Sequence, residues 1–271
     1  MNKVLYIILI SLFSLTVISC ASSDDGASTT STDNTTSSSD DSSDNSTSTS
    51  DNSTSTSDNS SSSSGSGIFV AVGQYGNIVR STDNGSSWDN VTSGLPLSSG
   101  YTILGVGFGN DTFIAAVEGG NILKSTDNGT TWDNVTSPTA NVLAGVGFGN
   151  NTFVVTGVGG NILRSTDNGT TWDNVTSPTA NTLRAVTFGN NTFVGVGYFG
   201  NIVRSTDNGS SFDNGTKQGT YLFGVTFGND TFVTIGNSGN IVRSTDNGSS
   251  WDNATSPTTN RLVGVYFGNN I

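Results

Sequence analysis

One octet carries most of the side chains in this sequence that could do chemistry. Ser81-Thr-Asp83-Asn-Gly85-Ser-Ser-Trp88 returns with Ser125, Asp127, Gly129 and Trp132, with Ser165, Asp167, Gly169 and Trp172, with Ser205, Asp207, Gly209 and Phe212, and with Ser244, Asp246, Gly248 and Trp251. A basic residue stands directly before each copy: Arg80, Lys124, Arg164, Arg204 or Arg243. The sole glutamate is Glu118, the sole cysteine is Cys20, and none of the 271 residues is histidine. That inventory excludes an imidazole base, the usual serine or cysteine triad and a His-ligated metal. A single thiol allows neither an internal disulfide nor a thiolate zinc cluster. Glycoside hydrolysis needs two carboxyl groups with separated roles. Glu118 could pair only with an aspartate, and nearly every aspartate after residue 66 recurs in a repeated turn. Calcium loops set their oxygens at Asp-x-Asp-x-Asp-Gly spacing, which Ser-Thr-Asp-Asn-Gly does not supply. The octet has turn chemistry instead: Ser and Asp oxygens accept turn N–H groups, Gly takes the left-handed position, and Trp packs over a hairpin. No catalytic residue, metal or cofactor is therefore expected. The five basic residues, at one position of the repeat, are expected to decorate a solvent face.

The elements that must position these residues follow from the period. The octets begin at residues 81, 125, 165, 205 and 244, in steps of 44, 40, 40 and 39 residues. Residues 161–181 nearly duplicate 121–141. One period holds four short runs rich in Val, Ile, Phe or Thr, here 142–148, 152–156, 161–165 and 171–175, separated by Gly and Asn turn signals. Asn-Gly between alternating apolar positions signals a tight hairpin, because Gly accepts positive φ without penalty. No run after residue 20 has a 3.6-residue period, so the chain reads as all-β. Four strands per roughly 40 residues is the β-propeller pattern. The array begins at Ile68-Phe69-Val70, the second strand of a repeat, and finishes on a lone first strand beginning at Arg261. Twenty strands make five four-stranded antiparallel blades if the C-terminal strand completes the N-terminal blade, a closure that removes free sheet edges.

Two further blocks precede the repeats. Residues 1–20 combine Lys3 with an apolar run from Val4 to Ile18, the pattern of an export signal. Val17-Ile18-Ser19-Cys20 resembles the bacterial lipobox, which implies lipidation of Cys20. Residues 21–66 are almost wholly Ser, Thr, Asp and Asn, too polar to bury a core, and read as a disordered linker with a root-mean-square reach of roughly 35–40 Å. Of the net charge of −12, residues 21–66 hold −8 and residues 67–271 hold −5. The acidity belongs mostly to the linker, and it argues against nucleic acid as a partner. Ala21 and Ser22 carry no inner-membrane retention aspartate, so a lipid-anchored place in the bacterial envelope, at the outer membrane or cell surface, is expected.

Across residues 67–271 the octet Ser-x-Asp-x-Gly-x-x-Trp resembles the Asp-box, or BNR, repeat of sialidases, sortilin-type receptors and photosystem II assembly-factor-like propellers. The resemblance implies a hairpin between the third and fourth strands of each blade, on the face opposite the usual ligand site. It also raises a sialidase-type glycoside hydrolase as an alternative. That activity needs three convergent arginines, a Tyr–Glu nucleophile pair and an Asp acid/base, and beyond the repeated position only Arg184 and Arg261 lie near strand starts. An assembly helper of a membrane complex is the other alternative that the resemblance implies.

Comparison of the repeats with one another locates a candidate ligand face. The loop from second to third strand carries two free positions per blade: Gln74-Tyr75, Glu118-Gly119, Val158-Gly159, Tyr198-Phe199 and Asn237-Ser238. The connections between blades vary too, with Tyr101 and Tyr221 in the unusual ones. Tyr75, Tyr101, Tyr198, Phe199 and Tyr221 are expected to ring one mouth of a central channel, with Arg184 and Arg261 beside it. Exposed aromatics among amides and one carboxylate suit a glycan or protein ligand. The expectation is thus a non-catalytic, monomeric recognition module that meets the membrane only through its lipid anchor.

Overall fold

The computed structural model describes residues 67–95, 100–215 and 218–268. The export-signal, lipidation (Cys20) and linker readings of residues 1–66 lie outside the described residues.

Among the described residues, nineteen strands form five antiparallel sheets. The first sheet holds β1 (Phe69–Val72), β2 (Ile78–Ser81) and β3 (Asp89–Val91). The second holds β4 (Ile103–Gly109), β5 (Thr112–Val117), β6 (Ile122–Ser125) and β7 (Asp133–Val135). The third holds β8 (Leu143–Gly149), β9 (Thr152–Gly157), β10 (Ile162–Ser165) and β11 (Asp173–Val175). The fourth holds β12 (Leu183–Gly189), β13 (Thr192–Gly197), β14 (Ile202–Ser205) and β15 (Asp213–Asn214). The fifth holds β16 (Leu222–Gly228), β17 (Thr231–Gly236), β18 (Ile241–Ser244) and β19 (Asp252–Asn253). Each sheet is a meander in chain order, the blade of a five-bladed β-propeller.

Two kinds of hairpin turn make the blade. The first two strands join through Asn110-Asp111, Asn150-Asn151, Asn190-Asn191 or Asn229-Asp230, all with positive φ. The last two join through the octet, whose Asn-Gly pair also has positive φ, as at Asn84 (58°) and Gly85 (84°). Both are the doubly left-handed turns that match strand twist, and Asn and Gly enter them at least cost.

The apolar core lies between blades. Ile114, Ala116 and Ile122 of the second blade pack with Leu143, Phe153, Leu163 and Trp172 of the third. The same grouping joins the third to the fourth and the fourth to the fifth. Inner strands β4, β8, β12 and β16 neighbour one another in chain order. The last residue of each is a glycine over which the next blade's phenylalanine lies: Phe148 on Gly109, Phe188 on Gly149, Phe227 on Gly189. A Cβ at any of these glycines would overlap that ring.

The ends of the array differ from its middle. Residues 261–268 lie beside β16, with Phe267 over Gly228 as in the interior blades. No ladder pairing of this segment with β1 is seen among the described residues. Tyr266 is 67% exposed, and Trp88 is 40% exposed where Trp132 is 5%. The first sheet is thus three-stranded here, and completion of it by the C-terminal strand remains a sequence-based expectation. No helix among the described residues is long and apolar enough to cross a membrane.

Candidate functional site

The octets themselves are fully occupied with holding their own turns. Ser81 Oγ donates to Asp83 Oδ1 at 2.7 Å and accepts the Gly85 N–H at 2.9 Å. Asp83 in turn accepts the Ser87 N–H at 2.9 Å and the Ser87 hydroxyl at 2.6 Å. Trp88 Nε1 closes the turn on the Gly85 carbonyl at 3.1 Å. The same serine–aspartate set recurs around Asp127, Asp167, Asp207 and Asp246, and the indole closure recurs at Trp132, Trp172 and Trp251 but not at Phe212, which has no N–H. All five carboxyls are held down at about 2. The Ser hydroxyl four residues on leads the cause at Asp83, Asp207 and Asp246, and the Thr131 N–H does so at Asp127. At Asp167 burial pushes upward, and the Thr171 hydroxyl and N–H with Ser165 outweigh it. Such carboxylates are poor proton donors near neutrality.

Four of the five basic residues before the octets, Arg80, Lys124, Arg164 and Arg204, are half-buried against the next blade, which corrects the sequence-based expectation for them, while Arg243 of the fifth blade is exposed. Arg80 Nε donates to the Asn128 carbonyl at 2.5 Å, and Arg164 Nε donates to that of Asn208 at 2.8 Å. Lys124 Nζ donates to Thr170 Oγ1 at 2.9 Å. Each reaches the octet of the following blade, and its stem lies along that octet's glycine, as Arg164 does at Gly209. The pattern of alternation places these residues on a strand face, but only the neighbouring blade reveals what covers it.

The opposite face is built from the second-to-third-strand loops. An asparagine side chain closes four of the loops: Asn77 Nδ2 donates to Gln74 O (2.7 Å), Asn121 to Glu118 O (3.0 Å), Asn161 to Val158 O (2.6 Å) and Asn201 to Tyr198 O (2.5 Å), while in the fifth blade the main-chain N–H of Asn240 donates to Asn237 O at 3.0 Å. The loop N–H then docks on the lead-in to its own blade, Tyr198 N on Thr182 O at 2.9 Å and Asn237 N on Tyr221 O at 2.9 Å. Within this fixed frame the second variable position is always left-handed. Gly119 and Gly159 hold it in two blades, but Tyr75 (φ 58°), Phe199 (φ 56°) and Ser238 (φ 57°) hold it in the others. A bulky residue with positive φ costs on the order of 1–2 kcal/mol. Packing offsets little of this at Tyr75, which is 64% exposed, and Phe199 is 54% exposed.

The structure brings three of the five expected aromatics together. Tyr198 meets Tyr221 edge-on with centroids 4.8 Å apart, and Phe199 meets Tyr221 at 5.2 Å. Tyr198 and Phe199 come from the fourth blade, Tyr221 from the lead-in to the fifth. Tyr101 instead lies over Gly119, and its carbonyl accepts the Gly76 N–H at 2.7 Å. Glu118 Oε2 accepts the Thr102 N–H at 2.9 Å, so this carboxylate anchors its own loop. Gln74, Asn237 and Ser238 lie in the equivalent loops of the first and fifth blades.

Each inner strand also carries a bulge after its first residue, at Leu104, Ala144, Arg184 and Phe223. A bulge frees one residue from the ladder and re-aims it. Arg184 is exposed there. Arg261 stands two register positions earlier on the final strand and lays its guanidinium 5.6 Å from the Phe223 ring centre. Phe223 went unnoticed in the sequence, although alignment of Leu143, Leu183 and Leu222 puts it at the position of Arg184. Two shallow grooves of about 460 and 500 Å³ lie beside the third and second loops, lined by Asn161, Ser177 and Pro178, and by Asn121, Ser137 and Pro138. Among the described residues no cluster of acidic, His or Cys side chains could hold a metal ion.

No protein-family model matches the sequence, and no curated protein matches it. Solved structures do. The chain is similar to YCF48 bound to a D1 peptide, with TM-score 0.56 and 21% identity over 71% of this chain and 66% of that one. YCF48 from Cyanidioschyzon merolae gives TM-score 0.50 and 17% identity over 62% and 60%. A nidogen/laminin complex gives TM-score 0.57 and 13% identity over 73% and 80%. The chain therefore spans about two thirds of the length of the YCF48 chains it matches. At these identities the likeness establishes the fold, a β-propeller.

Proposed function

We propose that this chain is a non-catalytic recognition module whose loop face captures a segment of another protein. The observation that carries the reading is the placing of Tyr75 and Phe199, exposed aromatics on left-handed backbone where sister blades use glycine. Strain of that kind persists where a side chain is kept for what it touches. Tyr and Phe supply large contact area for little lost side-chain freedom. A β-propeller neighbour holding a D1 peptide offers a precedent for a peptide ligand on this fold. Probing the full chain with an array of short synthetic peptides, and in parallel with a glycan array, tests the reading. Peptide binding that is lost in Tyr198→Ala/Phe199→Ala is expected. Binding to glycans alone, or binding unchanged by that pair, overturns it.

The engagement of Glu118 by Thr102 also favours binding over sialidase-type hydrolysis, since a nucleophile pair needs a free carboxylate. A fluorogenic sialoside should show no turnover with the full chain. For placement, we infer a lipid anchor at Cys20 in the bacterial envelope, supported by Val17-Ile18-Ser19-Cys20 and the long polar linker. Cys20→Ser is expected to move the protein from the membrane fraction to the soluble one.

A further inference from the structure

Each octet contains an Asn-Gly pair, and the five pairs are not held alike. Deamidation at such a pair begins when the glycine nitrogen, losing its proton to base, attacks the asparagine side-chain carbonyl carbon. The C–N bond that forms closes a succinimide, and the amide nitrogen leaves as ammonia. Water then opens the ring to aspartate or isoaspartate. The turn must open first, because in all five octets the Gly N–H is donated to the octet Ser Oγ at 2.8–2.9 Å.

What differs is the asparagine amide. Asn168 Nδ2 donates to Thr112 Oγ1 at 2.6 Å and to Asn110 O at 3.3 Å. Asn208 Nδ2 donates likewise to Thr152 Oγ1 at 2.7 Å and Asn150 O at 3.5 Å. Both amides are thus clamped on the first hairpin of the preceding blade. The register that pairs Phe69 with Ser81 and Phe113 with Ser125 puts Ile68 at the position of Thr112, so the first blade offers Asn128 no hydroxyl there. Asn128 is exposed.

We infer that Asn128 deamidates faster than Asn168 and Asn208, whose amides the inter-blade clamp protects. Local opening sets the rate, and each bond crossing to another blade must break before the turn opens. Conversion at Asn128 has a structural consequence, because its carbonyl is the acceptor of Arg80. Isoaspartate adds an atom to the main chain there and pulls the acceptor away, loosening the first sheet from the second.

The full chain, incubated at mildly alkaline pH and followed by peptide mapping with mass spectrometry, tests this. Conversion at Asn128 about thirtyfold faster than at Asn168 and Asn208 is expected, since losing two net hydrogen bonds of about 1 kcal/mol each makes opening that much more frequent. Equal rates at the three sites, or a lead by Asn168 or Asn208, overturn the proposal. Thr112→Val should then raise the Asn168 rate while Asn208 stays slow in the same molecule. Thr112→Ser, which keeps the hydroxyl, should leave Asn168 slow. A Thr112→Val chain in which Asn168 and Asn208 accelerate together reports general unfolding and counts against a local clamp.

Discussion

Arg164 Nε donates to the carbonyl oxygen of Asn208 at 2.8 Å, so a strand of the third blade holds the octet turn of the fourth. The bond is charge-assisted, half-buried and made across a repeat boundary. In stacked repeats, stability is close to a sum of unit terms and nearest-neighbour interface terms. A side chain that works only between units therefore acts on cooperativity as well as on stability.

Arg164→Ala should accordingly destabilise the protein by about 1.5–3 kcal/mol, the worth of a hydrogen bond to a charged group together with the lost packing of the stem on Gly209. Arg164→Lys should recover only part of this, because a lysine cannot reproduce the planar Nε donor. Denaturant unfolding followed by circular dichroism reads both. A loss with a lowered dependence on denaturant would show that the blades have begun to unfold separately.

Acid should destabilise the array through the octets. In the fold the five aspartates sit at about 2, below their ordinary value of 3.8. A carboxyl whose value is lowered by folding contributes stability that is fully present above 3.8 and is lost as pH falls through about 2. With no histidine in the chain, no imidazole titrates between pH 5 and 8. The melting temperature should hold from neutrality to just above pH 4 and then fall steeply towards pH 2. Asp167→Asn should lower it near neutrality and make that acid limb shallower.

How much of this was readable beforehand depended on whether a residue acts inside its own repeat. The octet turn was, because Ser125, Asp127, Gly129 and Trp132 all bond within eight residues of chain. The strands around Thr152–Gly157 and Ile162–Ser165 were as well, since alternation and Asn turns are local signals. Arg80 and Arg164 were misread because what covers them arrives from a residue more than forty positions away. The clustering of Tyr198, Phe199 and Tyr221 was only half legible. The loop positions show as variation among repeats, but the left-handed backbone under Phe199 shows only in φ. Phe223 was hidden by its bulge, which shifts the register that strict alternation assumes.

Phe188 lies over Gly149, and the size of that glycine is as constrained as any core side chain. The inner strands approach so closely there that a Cβ would overlap the Phe188 ring. Gly149 pairs with Thr152 at the hairpin end, so the backbone has little room to retreat. Gly149→Ala should cost about 1–3 kcal/mol, the range for overpacking a filled interior. Gly73→Ala, with no neighbour at that distance, should cost far less. Thermal unfolding of the two variants side by side separates steric demand from any general penalty of replacing glycine.

Tyr75 offers the most direct test of strain kept for recognition. Its ring is 64% exposed and its φ is 58°, a conformation that glycine adopts freely and tyrosine does not. Gly119 and Gly159 occupy the same position in the second and third blades, so the backbone already accepts glycine there. Tyr75→Gly should therefore raise stability by about 1 kcal/mol, the strain released less the extra freedom of the unfolded chain. A structural residue would behave oppositely, with its removal lowering stability. If the loop face binds through its aromatics, the same substitution weakens peptide capture in the array experiment while the melting temperature goes up. A variant that loses stability, or one that gains stability and binds as before, would assign Tyr75 to the scaffold and leave recognition to Tyr198, Phe199 and Tyr221.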